Sequence, residues 1–446
     1  MPDRPPNLHV VTLGCQMNKL DSEAVAGHLL DAGYVAVRSA RDADVVLINT
    51  CSVRQHAEDK VWSLLGVLRQ RKRQHPQMVI VVMGCMAQRE RESIFERMPH
   101  VDIVCGTGEL PRLPELIAEA RAKRQRVLAV DEVSHGALPR LVRRRPNRFQ
   151  AFVGVMRGCD NFCAYCIVPY VRGRERSRPV DDVVDEVRRL ADDGCREVTL
   201  LGQNVNSYGR GLEPPATLAA LLRRLDPIDG IQRIRFVTSH PKDATDELFE
   251  AMAELPSVCP WLHLPAQAGS NRVLRNMRRG YTREHYLERV ARLRQLVPGM
   301  EMASDFIVGF PGETDEEFEQ TVDLVERCDY QNCFIFKYSP RPGTRAAEMD
   351  DDVPWDTKRA RNHRLLAVQR AVMERRQAAM VGSRVEVLVE GVSKKDASKL
   401  MGRSRANHIV VFAGDSSLAG SLVDVDIVDF TPLTLFGRLV PGGMER

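Results

Sequence analysis

Short apolar runs alternate with amphipathic stretches through the first part of the chain. From about residue 8 to residue 120, each apolar run is followed by a loop and then by apolar residues at helical spacing. The runs are Leu8–Leu13, Val45–Ile48, Met78–Met83 and Val101–Val104. Runs of this length and order are typical of parallel strands joined by helices. The pattern therefore predicts an N-terminal α/β domain on a parallel sheet, over residues 7–123.

The same alternation resumes after a basic, proline-containing stretch, Pro139–Phe149. We interpret this stretch as a linker, and a solvated run of charge is the alternative. Helical stretches, for example Val180–Ala191 and Arg283–Leu296, separate six predicted strands. Those strands are Ala151–Met156, Glu197–Leu201, Arg233–Val237, Trp261–Leu264, Met300–Val308 and Asn332–Tyr338. Six βα units predict a partial (βα)6 barrel over residues 145–378, with its chemistry at the carboxyl ends of the strands.

The last part of the chain has a different pattern. A long charged amphipathic helix, about Asp356–Met380, leads into residues 380–445. There VEVLVEGV, HIVVF, LVDVDIVDF and LFGRLV are short apolar runs with turns between them. This pattern predicts a small antiparallel β-barrel. The whole chain is thus predicted to be an α/β protein of three domains.

Composition narrows the function classes. The chain is 43% hydrophobic and 28% charged, and its net charge of +4 is too small to indicate a polyanionic partner. It has neither a leader with a charged and then an apolar segment nor an apolar run long enough to cross a membrane, so we expect a cytoplasmic protein. In a reducing compartment its 11 cysteines argue against disulfides and leave some of them as metal ligands.

Three cysteines lie close together in RGCDNFCAYCIVPYVRG, directly after the first predicted barrel strand. Cys159, Cys163 and Cys166 at this spacing can bind one four-iron cluster and leave its fourth iron without a protein ligand. An open metal position allows a small molecule to bind iron directly. A structural zinc site is the alternative, although zinc usually takes four ligands and no fourth cysteine or histidine lies nearby.

A second set of cysteines is distant in sequence but equivalent in position. Cys15, Cys51 and Cys85 each follow an apolar strand, in VVTLGCQMN, VVLINTCSV and VIVVMGCMA. In a parallel sheet all three emerge at one edge, where ligands bind in open α/β folds. We predict a second cluster site there, and buried structural cysteines are the alternative. Cys105 follows the fourth strand, and it either supplies a fourth thiolate ligand or takes no part in binding the cluster.

These residues, with longer motifs around them, resemble the radical SAM superfamily and, within it, the MiaB-type tRNA methylthiotransferase family. The resemblance covers nearly the whole length, and the C-terminal barrel looks like a TRAM domain. It rests on TLGCQMN, NTCSVRQHAEDKVW, GCDNFCAYCIVPYVRGRERSRP, LGQNVNSYG, HLPAQAGSNRVLRNMRRGYT, DFIVGFPGET and FKYSPRPGT. It implies two 4Fe–4S clusters, and S-adenosylmethionine both as methyl donor and as radical source.

The resemblance also implies a reaction. The substrate would be tRNA carrying N6-isopentenyladenosine at position 37, and the product its 2-methylthio derivative. The clusters would carry the chemistry, with no separate acid or base, because an aromatic C–H has no acidic proton. A flavodoxin or ferredoxin would donate electrons to a monomeric enzyme. Segments at the strand ends would hold the cofactor, and their candidate residues are Gln203, Asn204, Ser239, Gln267, Gly309 and Pro311.

Candidate contacts to tRNA come from basic side chains. They are Arg172, Arg174, Arg341, Lys394 and Lys395. For Arg172 and Arg174 the alternative is an ion pair at the barrel rim. The stretch Lys394–Arg405 holds five basic residues and one acidic residue, 5 − 1 = +4, which predicts a local basic patch in the C-terminal domain.

Three other functions compete with this one. They are a sister methylthiotransferase that acts on ribosomal protein S12 or on threonylcarbamoyladenosine in tRNA, a one-cluster porphyrin-precursor oxidase, and a non-catalytic RNA-binding iron–sulfur protein. The first loop, GCQMN, favours the MiaB type over the S12 type, and the second triad argues against a one-cluster enzyme. Because both clusters must reach one adenine, we expect the two cysteine triads to face a shared cavity.

Overall fold

The computed structural model of the chain describes residues 4–52, 55–130, 145 and 147–444. Most of the predicted linker Pro139–Phe149 lies outside these residues. Among the described residues, no helix is both long and apolar enough to cross a membrane.

Six parallel strands form the N-terminal sheet, in the order β2-β1-β3-β4-β5-β6. The strands are β1 (Asn7–Leu13), β2 (Val35–Ala36), β3 (Val45–Thr50), β4 (Val79–Gly84), β5 (Ile103–Cys105) and β6 (Val127–Ala129). The helices are α1 (Gln16–Asp31), α2 (Gln55–Gln74), α3 (Cys85–Glu90), α4 (Ser93–Arg97) and α5 (Leu113–Lys123). Every residue of β3 and β4 is buried, because helices cover both faces of the sheet. The predicted α/β domain is confirmed, and β2 and β6 are short edge strands that the apolar pattern missed.

The central region is a half-barrel of six parallel strands in two three-stranded ladders, β7-β10-β11 and β12-β13-β14. Its strands are β7 (Gln150–Gly154), β8 (Met156–Arg157), β9 (Arg176–Ser177), β10 (Glu197–Leu201), β11 (Arg233–Val237), β12 (Trp261–His263), β13 (Glu301–Val308) and β14 (Asn332–Lys337). Its helices are α6 (Val168–Arg172), α7 (Val180–Asp192), α8 (Leu218–Leu225), α9 (Asp246–Glu254), α10 (Asn271–Asn276), α11 (Arg283–Leu296) and α12 (Asp315–Cys328). The six predicted strands are therefore confirmed, and β8 and β9 form a small separate ladder.

A 25-residue helix, α13 (Trp355–Ala379), leads to a closed C-terminal barrel in the order β15-β16-β17-β19-β18. Its strands are β15 (Arg384–Val392), β16 (Lys399–Ser404), β17 (Ile409–Ala413), β18 (Leu422–Thr431) and β19 (Thr434–Met444). The barrel is confirmed, but it is not wholly antiparallel, since β17 pairs with β19 in parallel. A ring of five strands cannot alternate in direction all the way round, so one parallel pair is needed to close it.

Both terminal domains pack against the half-barrel. On one side, Met17 and Leu20 of α1 join Leu201 and Phe152 of the barrel strands in one apolar cluster. On the side of the C-terminal barrel, the Arg235 guanidinium donates to the carbonyls of Ser404, the last residue of β16, and of Arg405, in the turn that follows. The half-barrel is thus held between an N-terminal α/β domain and a C-terminal barrel.

Candidate functional site

The first triad lies at one edge of the N-terminal sheet. Cys15, Cys51 and Cys85 follow β1, β3 and β4, as predicted, and the Cys51 thiol donates a hydrogen bond to Cys15. The sheet order changes direction between β1 and β3, because β2 lies outside β1 while the chain then crosses to β3. Ligands of doubly wound sheets bind at this switch point. The topology therefore brings Cys15 and Cys51 to the position where this fold binds ligands.

Buried amides hold the loops of the first triad in place. Asn18 accepts from the Cys15 backbone N–H at 3.3 Å and from its thiol at 3.1 Å, and donates to Asn49 at 2.9 Å. Two glycines make the close approach possible. A Cβ on Gly14 would lie 2.7 Å from the Cβ of Cys51, and one on Gly84 would lie 2.3 Å from Asn49 Oδ1. The triad is thus preorganised by its neighbours.

The three thiols differ in their electrostatics. The hydrogen bond from Cys51 lowers the pKa of Cys15 to about 6. Burial raises the pKa of Cys85, and the nearby Arg172 guanidinium opposes that rise. Thiolates are the metal-binding form of cysteine, so cations and hydrogen-bond donors around the triad favour ligation.

The second triad lies on the loop between β8 and α6. Cys159 N–H donates to the Gly173 carbonyl at 3.1 Å, and Cys166 N–H donates to the Cys163 carbonyl at 2.9 Å. Burial raises the pKa of Cys159 to about 11 and that of Cys166 to about 12. The buried Arg279 guanidinium donates to Cys163 Sγ at 3.3 Å. The loop therefore folds back on itself and holds its three thiols together beside a cation.

The first triad approaches the segment that carries the second triad at the seam between the N-terminal domain and the half-barrel. Cys85 packs against Ile167, which directly follows Cys166, and against Val171. Arg172, on the same helix α6, donates to Cys85 Sγ at 3.3 Å and to Asp21 at 2.7 Å. This contact brings Cys85 next to the helix that follows the second triad, and the shared cavity stays a prediction.

The donor sets fit four-iron clusters better than single metal ions. Among the residues that the structure describes, no three cysteine, histidine or carboxylate groups converge as the ligands of one ion do. A four-iron cluster binds each thiolate to a different iron atom, so its ligands stand further apart. Three thiols in each set would hold three irons of a four-iron cluster and would leave the fourth without a protein ligand.

Unpartnered polar atoms gather at the carboxyl ends of the barrel strands. Asn204 Oδ1, Ser239 Oγ and Glu313 Oε1 are buried and, in the described part of the chain, have no hydrogen-bond partner. Such atoms are costly unless a ligand or water satisfies them. Their position after β10, β11 and β13 fits a small ligand with amino, carboxylate and hydroxyl groups, as S-adenosylmethionine has.

The other predicted cofactor residues line the same end of the half-barrel. Gln203 accepts from the Gly158 N–H at 2.5 Å, which ties the end of β10 to the cluster loop. Gly309 N–H donates to Glu313 at 2.6 Å, and Pro311 is buried beside it. Gln267 has a positive φ of 69°, which is unusual for a residue with a side chain. The role of these residues in cofactor binding stays a prediction.

The predicted tRNA contacts are divided between buried and exposed positions. The Arg172 and Asp21 side chains are each only 3% exposed, which favours the ion-pair alternative for Arg172. Arg341 is also buried, with Glu58 of α2 at 3.8 Å. Arg174, Lys394 and Lys395 are exposed and remain candidates for phosphate contacts.

Other residues of the site were not singled out from the sequence. Arg279 belongs to the motif NMRRGYT, and Asn18 and Asn49 belong to TLGCQMN and NTC, so the motifs contained them without giving their contacts. Cys105 is fully buried in the sheet core, where burial raises its thiol pKa. That position favours the alternative in which Cys105 takes no part in binding the cluster.

Family models match all three regions of the chain. Residues 7–106 match the Uncharacterized protein family UPF0004, residues 153–325 match the Radical SAM superfamily, and residues 378–440 match the TRAM domain.

Curated relatives match over nearly the full length. The chain is 49% identical to a tRNA-2-methylthio-N(6)-dimethylallyladenosine synthase of Moorella thermoacetica, over 97% of this chain and 98% of the relative. A protein of the same name from Carboxydothermus hydrogenoformans is 47% identical, over 97% and 99% of the two chains. One from Clostridium botulinum is 46% identical, over 96% of each.

Solved structures share the fold at low identity. The radical S-adenosylmethionine methyltransferase TsrM of Kitasatospora setae has a TM-score of 0.56 at 16% identity, over 77% of each chain. The cobalamin-dependent radical enzyme OxsB has a TM-score of 0.52 at 13% identity, over 80% of this chain and 56% of that one. These likenesses concern the fold alone.

Proposed function

The chain belongs to the family of tRNA-2-methylthio-N(6)-dimethylallyladenosine synthases, and we propose that it attaches a methylthio group to C2 of N6-(dimethylallyl)adenosine at position 37 of tRNA. It is a radical SAM enzyme that transfers a sulfur-containing group, with S-adenosylmethionine and 4Fe–4S clusters as cofactors.

The closeness of Cys85 to the segment that carries the second triad is the observation that supports this proposal. Cys85 shares an apolar cluster with Ile167, the residue after Cys166, and accepts from Arg172 at 3.3 Å. A reaction that needs a radical source and a sulfur source at one carbon atom requires two such sites to face the same substrate. A one-cluster oxidase would have no use for the N-terminal triad.

Each triad would hold one cluster. When bound, the clusters and S-adenosylmethionine supply one-electron chemistry, sulfur and a methyl group, which the side chains of the protein cannot provide. Cys159, Cys163 and Cys166 would bind the cluster that contacts S-adenosylmethionine, and the N-terminal triad would bind the second.

The side chains of the protein hold and shield these groups. Arg279 and Arg172 donate hydrogen bonds to Cys163 and Cys85 and supply positive charge in a buried site. Asn204, Ser239 and Glu313 would orient the bound S-adenosylmethionine through their unpartnered atoms. Four of the six cysteines are buried, and Cys15 and Cys166 are half-buried, so the surrounding domains would limit the access of water to the reacting carbon.

Several finer features complete the proposal. We place the domain boundaries at residues 7–123, 145–378 and 380–445. We propose that the enzyme works as a monomer in the cytoplasm and receives electrons from a flavodoxin or ferredoxin. Arg174, Lys394 and Lys395 would contact the tRNA backbone.

The experiment that tests this function compares wild type with a variant in which Cys15, Cys51 and Cys85 are replaced by Ala. After anaerobic reconstitution, wild type should hold about twice the iron and sulfide of the variant. The variant should still cleave S-adenosylmethionine to 5′-deoxyadenosine but should not methylthiolate isopentenylated tRNA. Equal iron in the two proteins would remove the sulfur source from the proposal.

The substrate is tested separately. Wild type should modify isopentenylated tRNA and leave an S12 peptide and threonylcarbamoyladenosine tRNA unchanged, as judged by mass spectrometry of the products. Modification of the peptide alone would assign the chain to the sister activity.

A further inference from the structure

The outer surface of the cluster loop carries a pair of aromatic side chains. Phe162 lies between Cys159 and Cys163, and Tyr170 lies on α6. Their rings meet edge to face, with centroids 6.0 Å apart and an interplanar angle of 85°. Tyr170 is 49% exposed, and Phe162 is partly exposed. Large aromatic side chains at the surface beside an active site often mark a binding surface.

Phe162, which carries one of the two rings, has a strained backbone conformation. Its φ is +44°, in the left-handed region that bulky residues rarely adopt. Backbone hydrogen bonds fix the loop around it, from Ala164 N–H to the Met277 carbonyl at 2.9 Å and from Cys166 N–H to the Cys163 carbonyl. Strain of this kind persists where the surrounding structure imposes it, and it concentrates at functional sites.

A cation lies beside the aromatic pair. The guanidinium of Arg174 is 5.3 Å from the centroid of the Phe162 ring, and its side chain is 71% exposed. Its ion pair with Asp160, at 2.9 Å, is also exposed. An exposed pair of this kind is weak, so a phosphate can replace the carboxylate.

The aromatic pair of Phe162 and Tyr170 lies beside the seam between the N-terminal domain and the half-barrel. Helix α6 has two sides: Val171 and Arg172 contact the N-terminal triad at the seam, while Tyr170 points to solvent. The aromatic pair therefore lies at the rim of the seam that the target nucleoside must enter.

We propose that Phe162 and Tyr170 form a stacking site for an unpaired base next to the target adenosine, and that Arg174 contacts the adjoining phosphate. The proposal rests on the function given above and adds a second nucleotide site to it. Unpaired bases in RNA loops are commonly bound by aromatic stacking, and every base has a face to stack. The site would therefore tolerate different neighbouring bases in different tRNAs.

The test measures binding of the reconstituted holoenzyme to a tRNA anticodon stem–loop that carries N6-(dimethylallyl)adenosine. Tyr170→Ala should weaken binding about tenfold, in the range that loss of one stacked base produces. Tyr170→Phe keeps the ring and should bind almost as wild type does. Leu366→Ala removes an exposed apolar side chain, 43% exposed, from α13 and serves as the control that leaves binding unchanged. Iron content checks that each variant has kept its clusters.

A second arm identifies the stacked base. Stem–loops with an abasic residue on the 5′ or the 3′ side of the target are bound to wild type and to Tyr170→Ala. At the stacked position the abasic residue should weaken binding to wild type and have little further effect on the variant. If the losses of binding caused by the abasic residue and by Tyr170→Ala add up at both positions, the stacking site is wrong. It is also wrong if Tyr170→Ala binds the stem–loop with wild-type affinity.

The two proposals fail differently. If wild type does not methylthiolate the tRNA, the function is wrong whatever the stem–loop binding shows. If wild type is active but Tyr170 and both neighbouring bases act independently, only the stacking site is wrong.

Discussion

A buried guanidinium lies beside each cysteine triad. Arg172 donates to Cys85 and Arg279 donates to Cys163, both at 3.3 Å. A thiolate away from water needs compensating charge, and hydrogen bonds to cluster sulfurs also influence the reduction potential. Arg172 differs from Arg279 in that it lies on helix α6 of the half-barrel and contacts the triad of the N-terminal domain. Its ion pair with Asp21 therefore holds the domains together as well.

Removal of Arg172 tests this double role. Arg172→Ala leaves the buried Asp21 carboxylate without its cation, a change that typically costs about 3–5 kcal/mol. We expect a lower melting temperature and less iron in the N-terminal site, measured by calorimetry and iron analysis. Arg172→Lys should restore part of both losses, because it keeps the charge.

Arg174→Ala is the matched control for Arg172. It breaks the exposed ion pair with Asp160 on the same loop, and such pairs contribute about 1 kcal/mol or less. Its melting temperature and iron content should stay near those of wild type. Equal effects of the two variants would show that the seam ion pair has no special role.

Glu313 gives the cofactor site a pH dependence. Burial raises the pKa of its carboxyl to about 7, against the opposing Gly309 N–H and Arg361. A raised carboxyl pKa contributes its full stability below the unfolded pKa of about 4.3 and loses it as the pH rises through 7. Glu313→Gln avoids that loss. Relative to wild type, its melting temperature should rise between about pH 5 and pH 8.

The control for Glu313 is Glu316→Gln, three residues further along the chain, in the first turn of α12, and fully exposed. Hydrogen bonding lowers the pKa of Glu316, so this variant should show no relative gain across the same pH range. If Glu313→Gln and wild type have parallel melting curves against pH, the carboxyl of Glu313 is ionised throughout.

Among the elements, the segment from Gly158 to Arg174 has the most roles. It binds one cluster through its cysteines, contacts the second triad through Val171 and Arg172, and presents Tyr170 to solvent. The segment closes on itself at Gly158, where a Cβ would lie 2.0 Å from the Arg174 carbonyl oxygen. A single glycine thus determines the shape of the loop.

Gly158→Ala should open this loop. Gly158 has φ of +78°, so the change adds backbone strain to the clash with the Arg174 backbone. We expect loss of the iron held by Cys159, Cys163 and Cys166, with the N-terminal site retaining its own. Gly211→Ala is the control, because Gly211 has φ of +73° but no atom within 4 Å of the added Cβ. Equal losses of iron in the two variants would mean that backbone strain, rather than the clash with the Arg174 backbone, causes the loss of the cluster.

The sequence predicted most of the secondary-structure elements, but it did not predict the side-chain contacts between the domains. Apolar runs predicted the six barrel strands and the central sheet strands, and the cysteines that follow them were placed at the correct edge. The strands β2 and β6 were missed because two or three residues at a sheet edge make no apolar run. An ion pair was one of the two alternatives for Arg172, but the partners of Arg172 and Arg341 were not predicted, because Asp21 and Glu58 lie far away in the sequence.

At the scale of the whole molecule, docking of the C-terminal barrel changes the charge that it presents. The predicted basic patch Lys394–Arg405 does not survive intact. Arg403 forms an ion pair with Glu390 at 3.1 Å, and Arg405 donates to the Val258 carbonyl of the half-barrel at 3.3 Å. Lys394 and Lys395 remain exposed in the turn between β15 and β16. Lys399 forms an ion pair with Asp396 at 3.3 Å, so the contribution of this patch to RNA binding falls mainly on Lys394 and Lys395.

Salt dependence of tRNA binding measures that contribution. Each phosphate contact adds about 0.7 to 0.9 to the slope of log K against log salt concentration. Replacement of Lys394 and Lys395 by Ala should therefore reduce the slope by about 1.4 to 1.8. Replacement of Arg188 and Arg223, exposed on the outer helices α7 and α8, is the control and should leave the slope unchanged. An unchanged slope in the lysine variant would show that the tRNA does not contact this turn. The surface around Phe162, Tyr170 and Arg174 would then be the principal RNA contact.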